Sequence, residues 1–323
     1  MIYTQIHKIF SKFLRQEISI NTSNNIILAL SGGQDSMALF KLLKDYQKIC
    51  YYNFHAVYCD HKYREDAVSN AAELNYLAQY SGINFHYYRV NKVLCNESEG
   101  RIWRYKILLK LASYFQPSKL LLAHTLTDKV ETFMHDFLYK YFSDSINLLL
   151  PVFYAGNNVH LLRPLITNAR SNTLWLCQIS FLPIWSDYTN YSLLHPRNKV
   201  RHELLPYIKN SFNVQIISQI GNSIGFWKLQ SLYVDSLVIN LLRATVKYGK
   251  NKTIFKTIFM RELPLILQYQ LLRNFLFYSL GCTSMREYTE YILCKIYLDQ
   301  FPLTITYNKY TIRIDKDYIY CYS

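Results

Sequence analysis

In the first half of the chain, short runs of apolar residues alternate with longer segments in which apolar residues recur every three or four positions. The short runs are typical of buried strands, and the longer segments are typical of helices with one apolar face. The runs predict four strands, at 26–30, 54–59, 84–90 and 119–123. The periodic segments predict helices at 2–17, 36–47, 65–80, 99–115 and 128–141.

This alternation of strand and helix predicts an α/β fold built on a doubly wound parallel sheet. Ligands of such sheets bind at the carboxyl ends of the strands. Two segments directly follow predicted strands, namely 31–36 and 124–131. We therefore expect both segments at the ligand-binding edge of the sheet.

The pattern changes in the second half of the chain. From residue 213 to about residue 300 the helical apolar spacing persists with few breaks. Residues 303–307 and 310–315 instead alternate between apolar and polar with period two, which is typical of a hairpin. The sequence thus predicts an α/β domain over 1–212 and a mainly helical domain with a short terminal hairpin over 213–323.

Composition and charge narrow the classes of partner. Half of the 323 residues are apolar, so two domains can each bury a core. The formal net charge of +14 favours a nucleic acid or an acidic membrane surface as partner, and a basic protein without such a partner is the alternative. No segment approaches the roughly 18 uninterrupted apolar residues of a membrane span. The first residues also lack the features of a signal or transit peptide, so we expect no membrane partner and no import.

Cysteine and tyrosine usage bear on the compartment. The seven cysteines are irregularly spaced without a C-x-x-C pair, which predicts free thiols in a reducing compartment and no zinc or iron–sulfur site. The 30 tyrosines, with many Ile, Asn and Lys, indicate an AT-rich genome. Plastid genomes and some reduced bacterial genomes have this bias. The resulting hypothesis is the plastid (chloroplast) stroma, with the bacterial cytoplasm as the alternative.

The segment after the first predicted strand has the composition of a phosphate-binding loop. Its glycines permit positive φ and close approach of a ligand to the backbone, and the following helix presents its N-terminus to an anion. A carboxylate in such a loop suits a Mg²⁺ ion that offsets phosphate charge. A tight strand–helix turn is the alternative. The residues of the loop are Ser31, Gly32, Gly33, Gln34, Asp35 and Ser36, with Asp35 as the metal ligand.

This loop resembles the S-G-G-x-D-S loop of the PP-loop pyrophosphatases, also called adenine nucleotide alpha hydrolase-like proteins, which adenylate their substrates. The resemblance implies that ATP is bound and is split into AMP and pyrophosphate.

The segment after the fourth predicted strand places Asp128 and Glu131 on one face of a predicted helix, with His124 just before it. Acidic residues that stabilise a helix N-terminus are the alternative reading. The segment resembles the A-H-H-x-D-D-x-x-E-T signature of the tRNA(Ile)-lysidine synthases. It departs from that signature at Thr125 and Thr127, which weakens the case for a role of those two positions and leaves the effect of the departures open.

Further motifs of that family follow in the same order along 24–210 of this chain. They are similar to the family's N/D-H-x-L-R-x-E, E-x-x-A-R-x-x-R-Y, R-P-L, D-x-T/S-N and R-N-x-x-R-x-x-L-x-P motifs. They lie at 60–65, 99–105, 163–165, 187–190 and 197–206.

The resemblance implies an AMP-forming carbon–nitrogen ligase. ATP would activate the C2 oxygen of the wobble cytidine of tRNA(Ile) with a CAU anticodon, and L-lysine would then displace AMP. Asp35 would bear Mg²⁺, while Asp128 and Glu131 would bind the lysine ammonium and one of them would accept its proton. His124 joins this catalytic set, as does Arg104, which would meet a phosphate or the substrate carboxylate.

A basic cluster completes the expected site. We assign it to tRNA contact or to stabilising the adenylated base, with a capped helix start as the alternative. The cluster consists of Arg197, Asn198, Arg201 and His202. Two rival functions stay open, namely a PP-loop enzyme that thiolates a tRNA base and a non-catalytic protein that binds ATP and tRNA. A homodimer is a further hypothesis.

Overall fold

The computed structural model of the chain forms two compact units, Met1–Gly225 and Phe226–Ser323. The predicted boundary after residue 212 lies earlier than this division. The structure describes residues 4–17, 25–63, 65–91, 97–115, 118–139, 149–154, 159–185, 193, 195–249, 252–258, 260–280, 286–307 and 310–322.

The first unit contains a six-stranded sheet in which the predicted α/β alternation is confirmed. The strand order is β3-β2-β1-β4-β6-β5, and all neighbours are parallel except β5 and β6. The strands are β1 (Asn25–Ala29), β2 (Asn53–Asp60), β3 (Asn84–Arg89), β4 (Ser118–Leu121), β5 (Val152–Tyr154) and β6 (Val159–Leu162).

Helices cover this sheet, and their bounds agree with the predicted helices within a few residues over the described ranges. The early helices are α1 (Gln5–Glu17), α2 (Gln34–Gln47), α3 (Ala67–Tyr80), α4 (Glu97–Tyr114) and α5 (Leu126–Tyr139). A further stretch comprises α6 (Arg170–Ile179), α7 (Pro196–Lys199), a π-helical turn (Val200–Leu204), α8 (Leu205–Ser211) and α9 (Ile216–Thr245), and α9 continues into the second unit.

The strands β1, β2 and β6 are largely buried, as their apolar residues predict, whereas the edge strands β3 and β5 are more exposed. Successive residues of β1 point to opposite faces, and Ile27 and Leu28 are both fully buried. Leu28 packs in a cluster with Leu42 of α2 and Leu176 of α6, whereas Ile27 packs with Leu108 of α4. Full burial of one such side chain contributes about 1.5–3 kcal/mol, so the position of β1 at the centre of the sheet is strongly specified.

The second unit contains a five-stranded antiparallel sheet packed with helices. Its order is β7-β8-β11-β10-β9. The hairpin predicted from the period-two pattern is confirmed as β9 paired with β10, but it belongs to a larger sheet than the sequence predicted. The elements are β7 (Val246–Tyr248), β8 (Lys252–Lys256), α10 (Leu265–Leu280), α11 (Arg286–Tyr297), β9 (Leu303–Tyr307), β10 (Tyr310–Ile314) and β11 (Tyr318–Tyr322).

The core of the second unit is aromatic and aliphatic. Phe255 of β8 stacks on Phe275 of α10 with ring centroids 5.0 Å apart. In β11, Ile319 and Cys321 are buried and alternate with tyrosines that are more exposed. The strand therefore has the period of two in its burial, although the apolar character of tyrosine hides that period in the sequence. Among the described residues, no helix is both long enough and apolar enough to cross a bilayer.

Candidate active site

The loop between β1 and α2 is closed by its two serines. The Ser36 hydroxyl donates to the carbonyl oxygen of Gly33 at 2.8 Å and accepts from the Ser31 backbone N–H at 3.2 Å and from the Ser31 hydroxyl at 3.1 Å. Gly33 is the N-cap residue of α2 and provides no side-chain acceptor for the first turn. Backbone N–H groups at this helix N-terminus therefore face the loop, as an anion site requires.

Gly32 adopts a conformation that favours glycine, with φ of +81°. A Cβ atom at this position would lie 2.5 Å from Oδ1 of Asn70, a buried residue of α3. The Asn70 side-chain amide donates to the Ser31 carbonyl oxygen at 3.2 Å. The backbone N–H of Trp185 donates to the Gly32 carbonyl oxygen at 2.9 Å. The loop is thus held from two sides, and neither contact was evident in the sequence.

Asp35 is the residue of the loop that lies in the first turn of α2, and it is 8% exposed. Its Oδ1 accepts from the Thr173 hydroxyl at 2.5 Å, and its Oδ2 accepts from Arg170 Nε at 3.0 Å. Burial and the charge of Asp128 raise the pKa of Asp35, while Arg170 and Thr173 act in the opposite direction. Both oxygens of the predicted metal ligand therefore have protein partners in this structure.

Asp128 and Glu131 lie one turn apart on α5 and are both buried. Asp128 Oδ2 accepts from the backbone N–H and from the hydroxyl of Thr125, each at 2.8 Å. Burial alone would raise the pKa of Asp128, but the charge of Arg170 and the hydrogen bonds from Thr125 outweigh it and lower that pKa.

Arg201 of the π-helical turn binds Glu131 through two parallel hydrogen bonds, Nε to Oε1 at 2.8 Å and Nη2 to Oε2 at 2.6 Å. The same Nη2 lies 3.5 Å from Asp128 Oδ1, and Arg197 Nε lies 3.7 Å from Glu131 Oε2. Such a bidentate pair fixes both side chains.

One guanidinium connects the loop to this acid pair. Arg170 begins α6, and its Nη2 lies 3.7 Å from Asp128 Oδ1 while its Nη1 lies 4.0 Å from Glu131 Oε1. Together with the contact to Asp35, these distances bring all three carboxylates to one guanidinium, which agrees with the predicted shared cleft.

His124 lies beside the acid pair at the end of β4. Burial lowers its pKa to about 3, and the charges of Arg163 and Arg104 contribute to the same shift. His124 is therefore neutral near pH 7, and its Nδ1 accepts from Arg163 Nε at 3.3 Å. Arg104 of α4 also contributes to lowering the pKa of His61, which burial chiefly brings to about 4, so Arg104 faces this edge of the sheet.

The expected basic cluster is divided. Arg201 turns its guanidinium onto the acid pair, and Asn198 is buried, so these two residues do not form an open basic surface. The reason is electrostatic, because a buried carboxylate without a cationic partner is strongly destabilising, and Arg201 is the partner of Glu131. His202 and Arg197 are half-buried. The D-x-T/S-N motif at 187–190 lies outside the described residues.

Sequence reasoning missed four residues of this site. Two of them are Thr125 and Thr127, the positions that depart from the family signature. Thr125 donates to Asp128, and the Thr127 hydroxyl accepts from the backbone N–H of Arg170 at 3.1 Å. Arg170 and Thr173 lie on α6, seven to ten positions beyond Arg163 of the R-P-L turn. The available signal was that α6 begins with a cation directly after a turn at the carboxyl edge of the sheet.

The parallel sheet and its loop define a PP-loop protein, and residues 2–208 match the family model described as a PP-loop domain. A solved structure with a similar fold is the U34-tRNA thiolase NcsA from Methanococcus maripaludis with its 4Fe-4S cluster. It has a TM-score of 0.59 at 18% identity and covers 69% of this chain and 78% of that chain.

Relatives by sequence are more specific. The chain is 38% identical to the chloroplastic tRNA(Ile)-lysidine synthase of Cyanidium caldarium, over 86% of this chain and 88% of that protein. Identity is 32% to the chloroplastic tRNA(Ile)-lysidine synthase of Pyropia yezoensis, over 72% and 73% of the two chains. It is 29% to the tRNA(Ile)-lysidine synthase of Nostoc sp., over 85% and 80%. The chain belongs to the tRNA(Ile)-lysidine synthase family.

The first prediction concerns the loop glycines. We expect Gly32→Ala to lower the free energy of unfolding by about 1–3 kcal/mol, because alanine is strained at positive φ and its Cβ would collide with Asn70. Urea denaturation measures this. Gly33→Ala is the matched control, since its Cβ would meet only the Ser31 hydroxyl at 3.5 Å. Equal losses in both variants would contradict the proposed constraint at Gly32.

The second prediction concerns pH. An unfolded histidine titrates near 6.5, whereas folded His124 takes up its proton only near pH 3. The stability that neutral His124 contributes is therefore complete above about pH 6.5 and is lost as the pH falls. We expect His124→Gln to flatten the loss of unfolding free energy between pH 6 and pH 5 by up to about 1.4 kcal/mol per pH unit. Urea denaturation at each pH measures the free energy of unfolding. If that free energy falls equally with pH in the two proteins, the prediction is wrong.

Proposed function

We propose that this protein ligates L-lysine to C2 of the wobble cytidine of tRNA(Ile) with a CAU anticodon, forming lysidine and releasing AMP and pyrophosphate. The observation that carries the proposal is the meeting of a phosphate-type loop with a buried acid pair at one sheet edge, in a chain of the lysidine synthase family. The loop suits an ATP substrate, and the acid pair suits a cationic amine.

In the first step the loop would hold the triphosphate through backbone N–H groups of the α2 N-terminus and through the Ser31 and Ser36 hydroxyls. The cytidine C2 oxygen would attack the α-phosphorus, and pyrophosphate would leave. His124, neutral and with Nδ1 already accepting, carries its proton on Nε2 and can donate to a phosphate. Arg104 would add a positive charge at the same edge.

A Mg²⁺ ion fits Asp35 by donor chemistry. Mg²⁺ prefers oxygen ligands and usually combines one or two carboxylates with substrate phosphates. Within the described ranges no group of three or more His, Cys, Asp or Glu residues could hold a metal ion, so Asp35 would supply one ligand and ATP the others. When bound, the ion would neutralise charge on the leaving pyrophosphate.

In the second step the lysine side-chain amine would displace AMP. Its ammonium has an unperturbed pKa near 10.4, so it must lose a proton before it can attack C2. Asp128 and Glu131 would bind the ammonium, and one of the two would take the proton. The new bond joins the lysine nitrogen to C2, and the bond between C2 and the AMP-bearing oxygen breaks.

The tRNA is held mainly by charge in this proposal. The net charge of +14 supports a polyanionic substrate, and Arg197 and His202 remain candidates for tRNA contact. Catalysis is assigned to the α/β part of the chain over 1–212 and additional tRNA binding to 213–323. The chloroplastic relatives support a plastid location, and we extend this to the stroma. A homodimer is also part of the proposal.

Neither rival function is favoured. Thiolation of a base commonly uses paired cysteines or an iron–sulfur cluster, and the sequence has no C-x-x-C pair. A non-catalytic protein that binds ATP and tRNA would not need two buried carboxylates beside the phosphate loop, where their charges must be compensated.

The third prediction tests the reaction itself. With ATP and tRNA(Ile) bearing a CAU anticodon, radiolabelled lysine should enter the tRNA, and AMP should appear in equal amount. Asp35→Ala should abolish AMP formation, because Asp35 would hold the Mg²⁺ ion. It should leave tRNA binding nearly unchanged, because Asp35 is buried within the loop. If ATP and tRNA bind without incorporation of lysine, the proposed reaction is wrong. Full AMP formation by Asp35→Ala would refute the Mg²⁺ role alone.

The fourth prediction concerns the basic character of the chain. Each neutralised phosphate contributes a slope of about −0.7 to −0.9 to the plot of log affinity against log salt concentration. We expect tRNA affinity to fall at least about tenfold between 50 and 200 mM KCl, as contact with several phosphates requires. Filter binding with unmodified tRNA measures this. A flat response would argue against binding through phosphate contacts.

A further inference from the structure

Three carboxylates surround one guanidinium at the candidate active site. Asp35, Asp128 and Glu131 are 8%, 6% and 0% exposed, so water provides little compensation for their charges. Buried like charges of this kind need cationic partners, and Arg170 is the cation that contacts all three acids.

The contacts of Arg170 are unequal. Its Nε lies at hydrogen-bond distance from Asp35, 3.0 Å, whereas its terminal nitrogens lie 3.7 and 4.0 Å from Asp128 and Glu131. Arg201, by contrast, is committed to Glu131 through two short hydrogen bonds. The Arg170 side chain is 33% exposed and that of Arg201 is 16% exposed. Arg197 is 32% exposed and lies 3.7 Å from Glu131, the one acid of the three that it contacts. Of the cations that contact Asp128, Arg170 is therefore the one better placed to be exchanged.

The backbone of Arg170 is fixed while its side chain reaches into the site. Its N–H donates to the Thr127 hydroxyl at 3.1 Å, and its carbonyl oxygen accepts from Gln34 Nε2 at 3.0 Å. The side chain of Arg170 thus extends from a backbone that is hydrogen-bonded both to α5 and to Gln34 of the phosphate loop. A rotation of the side chain alone can move its charge between the acid pair and the loop.

We propose that Arg170 is a built-in counter-ion that holds the place of the substrate amine. In the ligand-free protein its guanidinium compensates Asp128 and Glu131. When ATP binds, the triphosphate draws the guanidinium toward the loop, and the acid pair becomes available to the lysine ammonium. This inference rests on the proposed function and assigns Arg170 as a positioning residue for both substrates.

Such an exchange couples the two binding events. Lysine competes with Arg170 in the absence of nucleotide and does not compete once a triphosphate holds the guanidinium. The nucleotide must therefore raise lysine affinity, and by linkage lysine must raise nucleotide affinity by the same factor. Nucleotide would bind before lysine, which prevents the amine from occupying the site before the cytidine can be activated.

The fifth prediction uses Arg170→Gln. Binding of radiolabelled L-lysine to the full chain is measured by equilibrium dialysis, with and without Mg²⁺ and the non-hydrolysable analogue AMPCPP. For the unmodified protein we expect AMPCPP to tighten lysine binding about tenfold, within the range usual for coupled sites. Arg170→Gln should bind lysine about tenfold more tightly without nucleotide, lose the coupling, and bind AMPCPP more weakly. These opposite changes would not follow from a general loss of structure.

Three controls sharpen the test. Arg170→Lys keeps a positive charge and should retain most of the coupling. Arg89→Gln removes a matched ion pair, since Arg89 Nε lies 3.1 Å from the buried Asp60, and should leave lysine binding unchanged. L-norleucine, which lacks the side-chain ammonium, should not compete with lysine in either protein.

The outcomes separate this inference from the proposed function. If Arg170→Gln weakens lysine binding, or leaves the coupling intact, the counter-ion role is wrong while lysine remains a ligand. If neither protein binds lysine with or without AMPCPP, the proposed amine substrate is wrong and the counter-ion role is wrong with it.

Discussion

The contact of three buried carboxylates with a single guanidinium is the interaction on which the rest of the site depends. Asp35 and Asp128 come from different helices, and each is buried. Without a shared cation, their charges would raise one another's pKa and would separate the helices. Arg170 reduces this conflict for both by contributing to a lower pKa of each, and Arg201 pairs with Glu131. The spacing of α2, α5 and α6 therefore has an electrostatic cause as well as an apolar one.

Sheet topology explains why these residues can meet at all. In the order β3-β2-β1-β4, the strands that follow β1 in the chain, β2 and β3, lie on one side of β1, and β4 lies on the other side. Ligands of doubly wound sheets bind where the strand order reverses in this way. The loop after β1 and the segment after β4 are consequently neighbours, although about 90 residues separate them in the sequence. Parallel pairing of both strands brings their carboxyl ends to one edge.

Much of the first unit could be predicted because it depends on local patterns. Apolar runs gave its central strands, and the loop and the pair Asp128/Glu131 stand out by spacing alone. Arg170 could not be found in this way, since its role comes from partners that are remote along the chain. The same holds for Arg201, whose basic neighbours suggested an open surface while its true partner lies on α5. In the second unit the five-stranded sheet was not predicted, because tyrosines mask the period of two in its last strand and because β8 pairs with β11, which is remote in the sequence.

The two threonines beside the acid pair show how the charge balance constrains this edge. This chain has Thr125 and Thr127 where the signature that its sequence resembles has a second histidine and a first aspartate. An aspartate at 127 would bring a further negative charge to the start of α6, whereas the Thr127 hydroxyl accepts the Arg170 N–H without a charge. Thr125 supplies two hydrogen bonds that lower the pKa of Asp128. With threonines at both positions this edge carries fewer charges to compensate, and the hydrogen bonds from Thr125 favour the ionised form of Asp128.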